Sequence, residues 1–417
     1  MAGREIPGYY FDTEKNKYFK IVADPAALYS KTAVRKRKAD EVVAAEAARV
    51  EKARKERVTR SGAVGKLDRE LGRGDGRLDV LRDFVGGWTG RGPVARLRGM
   101  PRWRVFDVDV ETGWLVYSDQ RDVQFGHLPG MRPRVPTWHE EPYFGLADVQ
   151  SITLSASKDF ALLTWLDSQG RHNVQVSSLN PDDDRDAFYH LRPPRSPENT
   201  TIRCACAAPL NSPYTFAIGS DDCPILVLDQ EMNQVSSPSG PSSPTLALTF
   251  LAESPHVLLA GKRSGQIPLV DLRVEGGGRG GIRHSASVAR VAQVGENAVV
   301  VGGLRDTMCV YDLRFLKEKE KGKKKEATRP VVRMWEHRNE TRHDVDLAVD
   351  RGTGLVAAAQ VEGGGGVRVF DVQSGAEVGY VAGGQKEGDY VRQVRFVEGN
   401  TGLGLWVSRG AEILGYG

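Results

Sequence analysis

The chain has 417 residues, of which 40% are hydrophobic and 27% charged, a globular rather than disordered composition with room for one large closed domain or two ordinary ones. Its net charge is +4, yet residues 1–60 alone carry 15 Lys/Arg against 9 Asp/Glu, so the remainder is mildly acidic and argues against a nucleic-acid groove along the main fold. No stretch approaches the roughly 20 apolar residues of a membrane span, and the start lacks the apolar h-region of a secretory signal.

The first element, within residues 1–30, is "IPGYYFDTEKNKYFKI" (Ile6 to Ile21), in which Tyr9, Tyr10, Phe11, Tyr18 and Phe19 flank a charged turn. Two short strands around a loop with Asn16 in the left-handed position predict a hairpin. A lone hairpin is marginal in water, so the five rings are docking residues, either for the rest of the chain or for a partner.

Residues 31–75 read as a basic helical segment. "RKRK" (Arg35, Lys36, Arg37, Lys38) has the form of a nuclear import signal. "ADEVVAAEAARVEKARKERV" (39–58) is rich in Ala, with Asp40 and Glu41 at its positive end and basic residues toward its negative one. Its apolar stripe of Val43, Ala47 and Val50 is narrow, which suits a helix in a shallow groove or a solvated linker.

From Pro101 to Gly417 helical periodicity gives way to short apolar runs punctuated by Gly, Pro, Asn and Asp, the pattern of an all-β body. "FAIGSDDCPILVLD" (216–229), "LLAGKRSGQIPLVDLR" (258–273), "VVVGGLRDTMCVYDLR" (299–314) and "VAAAQVEGGGGVRVFD" (356–371) share one template: a strand, small residues, a polar turn, then a strand ending in Asp. The terminal Asp residues lie at 229, 271, 312 and 371, at intervals of 42, 41 and 59, with the Lys-rich "KEKEKGKKK" (317–325) inside the longest. A period of about 40–45 residues of this kind predicts a WD-repeat β-propeller, and the length of the body corresponds to roughly seven blades. The last blade, in 391–417, lacks a fourth strand and is expected to borrow one from the start of the propeller, such as "RWRVFDVDV" (102–110). The repeats are degenerate: only Asp222 fills the usual Asp of the polar turn, where Ser264, Arg305 and Gly364 stand in the others.

Catalytic and cofactor signatures are missing. No phosphate-loop, nucleophile-elbow or zinc-protease motif occurs. "GGGRGG" (276–281) and "GGGG" (363–366) read as inter-strand loops. His139 lies beside two carboxylates in "TWHEEPYFG" without a second His at helical spacing, so no metal is assigned. His284, His337 and His343 precede strands, where a structural hydrogen bond is expected. Cys204, Cys206, Cys223 and Cys309 form no C-x-x-C pair and are expected as buried reduced thiols. These readings predict a non-enzymatic binding protein of the nucleus and/or cytoplasm, without cofactor or metal.

The one repeated feature that points outward is "VDLR" (270–273) followed by "YDLR" (311–314). In a propeller this step ends a blade's third strand, so Arg273 and Arg314 are expected side by side on one circular face. Asp271 and Asp312 would hold the turns through Asx-type hydrogen bonds. A planar guanidinium suits an acidic or carbonyl-rich protein surface.

On these paired endings, on "PGYYFDTEKNKYFKI" and on "AGKRSGQIPLVDLR", the chain resembles the WD-repeat substrate receptors of cullin-4 ubiquitin ligases, and among them the type-four branch of the cullin-4-associated factors. The likeness covers the leader and about residues 258–375 well, and 101–250 poorly; Val270 and Tyr311 stand where the family often has Trp before the Asp. It implies that Asp271, Arg273, Asp312 and Arg314 dock the chain on the ligase's damaged-DNA-binding adaptor. It also implies that the helix at 39–58 and "VGKLDREL" (64–71) help grip that adaptor, and that an unidentified protein substrate is held elsewhere. The rival reading is a nuclear WD-repeat scaffold in RNA or chromatin assemblies, with the basic leader against phosphates.

Overall fold

The computed structural model describes residues 9–12, 17–20, 34, 76–98, 105–109, 114–118, 123–127, 149–166, 172–179, 201–221, 225–235, 243–274, 280–316, 327–361, 365–383, 391–399, 402–410 and 412–417. It divides into two compact units, Met1–Ser61 and Gly62–Gly417. In the first, Tyr9–Asp12 pairs antiparallel with Lys17–Lys20, setting Tyr10 opposite Phe19 and Phe11 opposite Tyr18. Tyr9 and Tyr18 are exposed. Arg35 to Lys38, the segments 39–58 and 64–71, His139, Cys223 and the Lys-rich 317–325 lie outside the described residues.

The second unit is a β-propeller built from up-and-down antiparallel sheets. Five have four strands: Ile202–Ala207, Tyr214–Ser220, Leu226–Asp229 and Gln234–Val235; Thr245–Leu251, Ser254–Lys262, Gln266–Asp271 and Gly281–Arg283; Val288–Gln293, Ala298–Gly303, Met308–Asp312 and Val332–Arg333; Leu347–Asp350, Leu355–Ala359, Val367–Asp371 and Glu377–Val381; and Val394–Gly399, Gly402–Arg409 and Glu412–Tyr416 with Ala95–Arg98. Two sheets show three strands among the described residues: Val105–Val108, Trp114–Ser118 and Val123–His127; and Val149–Leu154, Phe160–Leu166 and His172–Ser178. The expectation of seven four-stranded blades is therefore met only in part.

Each sheet is buried on both faces, which explains why its strands read as continuous apolar runs rather than alternations. Neighbouring side chains along one strand point into opposite neighbours. Leu258 joins the cluster shared with the 202–235 sheet, while Leu259 joins the one shared with the 288–333 sheet. Val299 and Val301 face one way and Val300 the other. Full burial of each such side chain stabilises the ring by about 1.5–3 kcal/mol. Gly261 lets two sheets approach, because a Cβ there would lie 2.5 Å from Val288.

The ring closes where Ala95–Arg98 pairs with Glu412–Tyr416, with Leu97 opposite Ile413 and Ala95 opposite Gly415. This corrects the expectation for 102–110: the sealing strand lies earlier, and Val105–Val108 is the first strand of the next sheet instead. Ile413 and Trp406 then pack on Phe106 and Leu115 across the seam.

Around the axis, side chains of the first strands, and that of Asp346 just before one of them, are tied by charge. Arg290 meets Asp346 at 3.1 Å, Asp346 meets Arg395 at 2.5 Å, and Arg395 meets Asp107 at 2.7 Å. Asp107 then accepts the Leu154 amide at 2.9 Å. Burial alone would raise the Asp346 carboxyl, but Arg395 and Arg290 outweigh it and hold the group below the usual carboxylate range.

A helix not foreseen from sequence, α1 (Gly76–Arg91), covers one flank of the ring. Asp79 in its first turn and Arg91 in its last complement the helix dipole, and Gly92, at φ +75°, ends it. Leu81, Val85 and Trp88 are buried in a cluster with Val378 and Val381 of one sheet and Val394 and Leu405 of the next. The closest approach is at Gly379, where a Cβ would overlap Val85.

No helix among the described residues is long and apolar enough to cross a membrane. Cys204, Cys206 and Cys309 are free thiols; burial pushes Cys204 up to about 12 and Cys309 up to about 11.

Candidate functional site at the arginine rim

In every sheet the first and third strands run in the same sense, so the ends of all third strands lie at one mouth of the ring. Asp271 ends Gln266–Asp271 and Asp312 ends Met308–Asp312, in consecutive sheets. Both motif arginines therefore belong to the same rim.

The two turns are built alike. Asp271 Oδ1 accepts the Arg273 amide at 3.0 Å, and Asp312 Oδ1 accepts the Arg314 amide at 2.9 Å. Each carboxylate then takes the edge of its own arginine's guanidinium: Nε and Nη2 of Arg273 donate at 3.0 and 2.8 Å, and those of Arg314 at 3.0 and 2.6 Å. The Asp271 carboxyl is held down at about 2, chiefly by its bond from the Arg273 side chain. Asp312 is lowered in the same way by Arg314. Leu272 packs on the cluster shared with the 202–235 sheet, and Leu313 on the one between the 245–283 and 288–333 sheets.

The D-L-R step thus has three separate tasks. Asp closes the turn and fixes the guanidinium, Leu anchors the turn to the core, and Arg projects. The arginine side chains are 61% and 65% exposed, and neither Nη1 has a protein partner among the described residues. Fixing a long side chain beforehand removes part of the entropy that binding would otherwise cost.

The residues beside the arginines belong to no motif of the sequence. Val274 and Phe315 directly follow the arginines and are exposed, as is Leu210 in the first loop of the preceding sheet. Phe315 lies under Arg314, with the guanidinium carbon 5.7 Å from the ring centre. The signal was present in the paired strings "DLRV" and "DLRF", since an apolar residue after a turn arginine has no core to reach. In the preceding sheet the same turn holds Glu231, whose amide donates to Asp229 at 2.9 Å. The surface therefore passes from an acidic turn to two basic ones.

On the strand that leads into the second turn, Tyr311 meets His284 Nδ1 at 2.8 Å, and His284 Nε2 meets Thr307 Oγ1, just before the start of that strand, at 2.8 Å. Thr307 donates its proton to the Leu304 carbonyl at 2.7 Å, so it accepts from Nε2–H, and Tyr311 donates to Nδ1. Burial, with Arg333 adding to it, lowers His284 to about 4. His337 stands in the corresponding place of the next sheet, 3.3 Å from Gln360 Nε2.

At the axis on this same mouth is a depression of about 310 Å³ between the loops following the first strands. Its Lys158 is paired with buried Asp109 at 2.6 Å. Among the described residues no group of three His, Cys, Asp or Glu side chains is arranged to hold a metal. No family model matches the chain, and no curated protein matches it either.

Proposed function

We propose that this chain is a non-enzymatic WD-repeat adaptor, the substrate-recognition subunit of a cullin-4 RING ubiquitin ligase. In this reading the five four-stranded and two three-stranded sheets are seven sectors of one ring. Asp271, Arg273, Asp312 and Arg314 dock on the damaged-DNA-binding adaptor. The observation that carries the reading is the matched pair of exposed guanidinium groups, each set by its own aspartate and followed by an exposed apolar side chain. Cationic anchors beside apolar ones suit a protein surface better than a phosphate backbone, which would leave Val274 and Phe315 without a role.

The chain would contribute proximity rather than chemistry. Holding a target beside the ligase makes ubiquitin transfer nearly intramolecular, with an effective concentration set by the geometry of the assembly. The aromatic strands at Tyr9–Asp12 and Lys17–Lys20 serve as an additional docking element.

The test is capture from cell extract with tagged full-length chain, read by mass spectrometry. Wild type is expected to retain the adaptor and cullin-4, and the double change Arg273→Ala, Arg314→Ala to lose both while keeping its melting temperature. Retention of both proteins by the double variant, or their absence from the wild-type capture, refutes the assignment.

A further inference from the structure

The Arg273 turn stands at a junction between two sheets. It is held from its own sheet, where the Leu272 amide donates to the His256 carbonyl at 2.9 Å. On the preceding sheet, Tyr214 sits opposite Asp229 in register. The Tyr214 and His256 rings meet edge to face across the junction, 5.9 Å between centres and 88° between planes. The Tyr214 hydroxyl is close enough to Asp271 and Arg273 for both charges to act on it.

A buried serine fixes this arrangement. Ser212, only 2% exposed, donates from Oγ to the Pro255 carbonyl at 2.8 Å and accepts the Tyr214 amide on the same oxygen at 3.2 Å. Its carbonyl accepts from Gln230 Nε2 at 2.9 Å. Of the connections around the junction at this mouth, 208–213, 230–233, 252–253 and 272–280, only 275–279 lies outside the described residues.

What this surface has left to offer is hydrogen-bond donors and apolar area, not net charge. Asp271 balances Arg273 through Nε and Nη2, which leaves the two N–H groups of Nη1 to donate. The Tyr214 hydroxyl has no hydrogen-bond partner among the described residues. Burial, with Asp271 adding to it, raises that hydroxyl above the ordinary tyrosine range against an opposing effect of Arg273, so it keeps its proton. Leu210, in the Ser212 loop, and Val274, next to Arg273, are exposed apolar side chains.

We propose that this junction binds a proline-rich segment of a partner protein in the polyproline II conformation. Proline has no amide N–H, and a polyproline II chain makes no internal hydrogen bonds. Its carbonyls are therefore free to accept from Arg273 Nη1 and the Tyr214 hydroxyl, while its rings cover Leu210, Val274 and the Tyr214–His256 pair. Aromatic-lined surfaces take such chains for these reasons. A helix, by contrast, uses its carbonyls internally. An acidic segment would be opposed by Asp229 and Glu231, whose bonds come from amides rather than cations. That the segment belongs to a ligase subunit rests on the function proposed above; the binding itself does not.

Fluorescence anisotropy tests this with the purified full chain and fluorescein-labelled decaproline, with octaglutamate and an uncharged poly(Gly-Ser) peptide as comparison probes. Decaproline is expected to bind most tightly and to keep its affinity as salt is raised, because no net charge is neutralised. Tyr214→Phe, which keeps the ring, should weaken binding about fivefold, the equivalent of one neutral hydrogen bond. Arg273→Lys, which keeps the charge and loses the planar fork, should weaken it at least as much. Both variants should retain the circular dichroism of the wild type. Absence of adaptor from the extract capture, with decaproline binding intact, would count against the ligase reading alone. No binding of decaproline, equal binding of either comparison probe, loss of affinity in high salt, or indifference to both substitutions overturns the proposal.

Discussion

Arg77 of helix α1 is paired with Asp371 at 3.2 Å, across 294 positions of sequence, and also donates to the Thr353 carbonyl at 2.7 Å. Asp371 ends its third strand as Asp271 and Asp312 end theirs. Where those two turns carry their own arginine, this one receives a guanidinium from outside the sheet. The helix is thereby fixed at two points, by charge at its start and by Val85 against Gly379 further along.

Loosening either point should free the helix without unfolding the ring. Arg77→Ala removes a charge-assisted bond from a carboxylate that keeps the Ser374 amide and hydroxyl at 2.9 and 2.7 Å, so the expected cost is about 1–2 kcal/mol. Gly379→Leu drives a side chain into Val85 and is expected to cost more. Hydrogen exchange should accelerate over residues 76–91 in both variants, while protection persists in the sheets. Unchanged exchange in that helix would contradict the packing described.

Phe315→Ala and Val274→Ser remove exposed side chains and should not move the melting temperature by more than about 0.5 kcal/mol equivalent. If the rim docks a protein, Phe315→Ala should nevertheless weaken capture of the same partner that Arg314→Ala loses. The comparison is capture yield against thermal stability for each single variant.

The blade repeat was legible because two local signals coincide in it. Asp229, Asp271, Asp312 and Asp371 are each the final residue of a third strand, and each accepts an amide two or three residues further on. What local pattern could not reveal are partners brought together by ring closure. "ARLR" at Ala95–Arg98 has two charges in four residues and no run of apolar side chains, yet it seals the last blade. Asp107 and Arg395 are 288 positions apart, and nothing near either one announces the other. Helix α1 was hidden because Gly86, Gly87 and Gly90 weaken its propensity, while its stability comes from Leu81, Val85 and Trp88 against the sheets.

The Arg290–Asp346–Arg395–Asp107 chain around the axis gives a prediction for acid stability. Arg395→Met leaves Asp346 and Asp107 without their shared cation and should cost about 3–5 kcal/mol by urea unfolding at neutral pH. Asp346 has a lowered folded value, so its contribution is present above the ordinary carboxylate range and is lost as pH falls through that range. Stability of the Met variant should therefore depend less on pH below about 4 than that of the wild type. An equal slope for both proteins would show that the chain contributes no acid sensitivity.

His284 supplies a second, higher pH window. Its folded value near 4 lies below the ordinary histidine value of about 6.5, so the unfolded chain binds the proton more readily. Its contribution is complete above about 6.5 and falls progressively toward pH 4. The full difference corresponds to about 3 kcal/mol at most. His284→Gln keeps a hydrogen-bonding side chain that does not titrate, and should flatten the stability profile between pH 6.5 and 4. Tyr311→Phe removes the donor to Nδ1, which should destabilise the protein by about 1–2 kcal/mol at neutral pH and raise the histidine's value toward normal. Chemical denaturation followed at several pH values reads both effects. Because Tyr311 immediately precedes Asp312, Tyr311→Phe also tests whether the buried network positions the arginine rim: partner capture should fall less than in Arg314→Ala if the turn is held mainly by Asp312 itself.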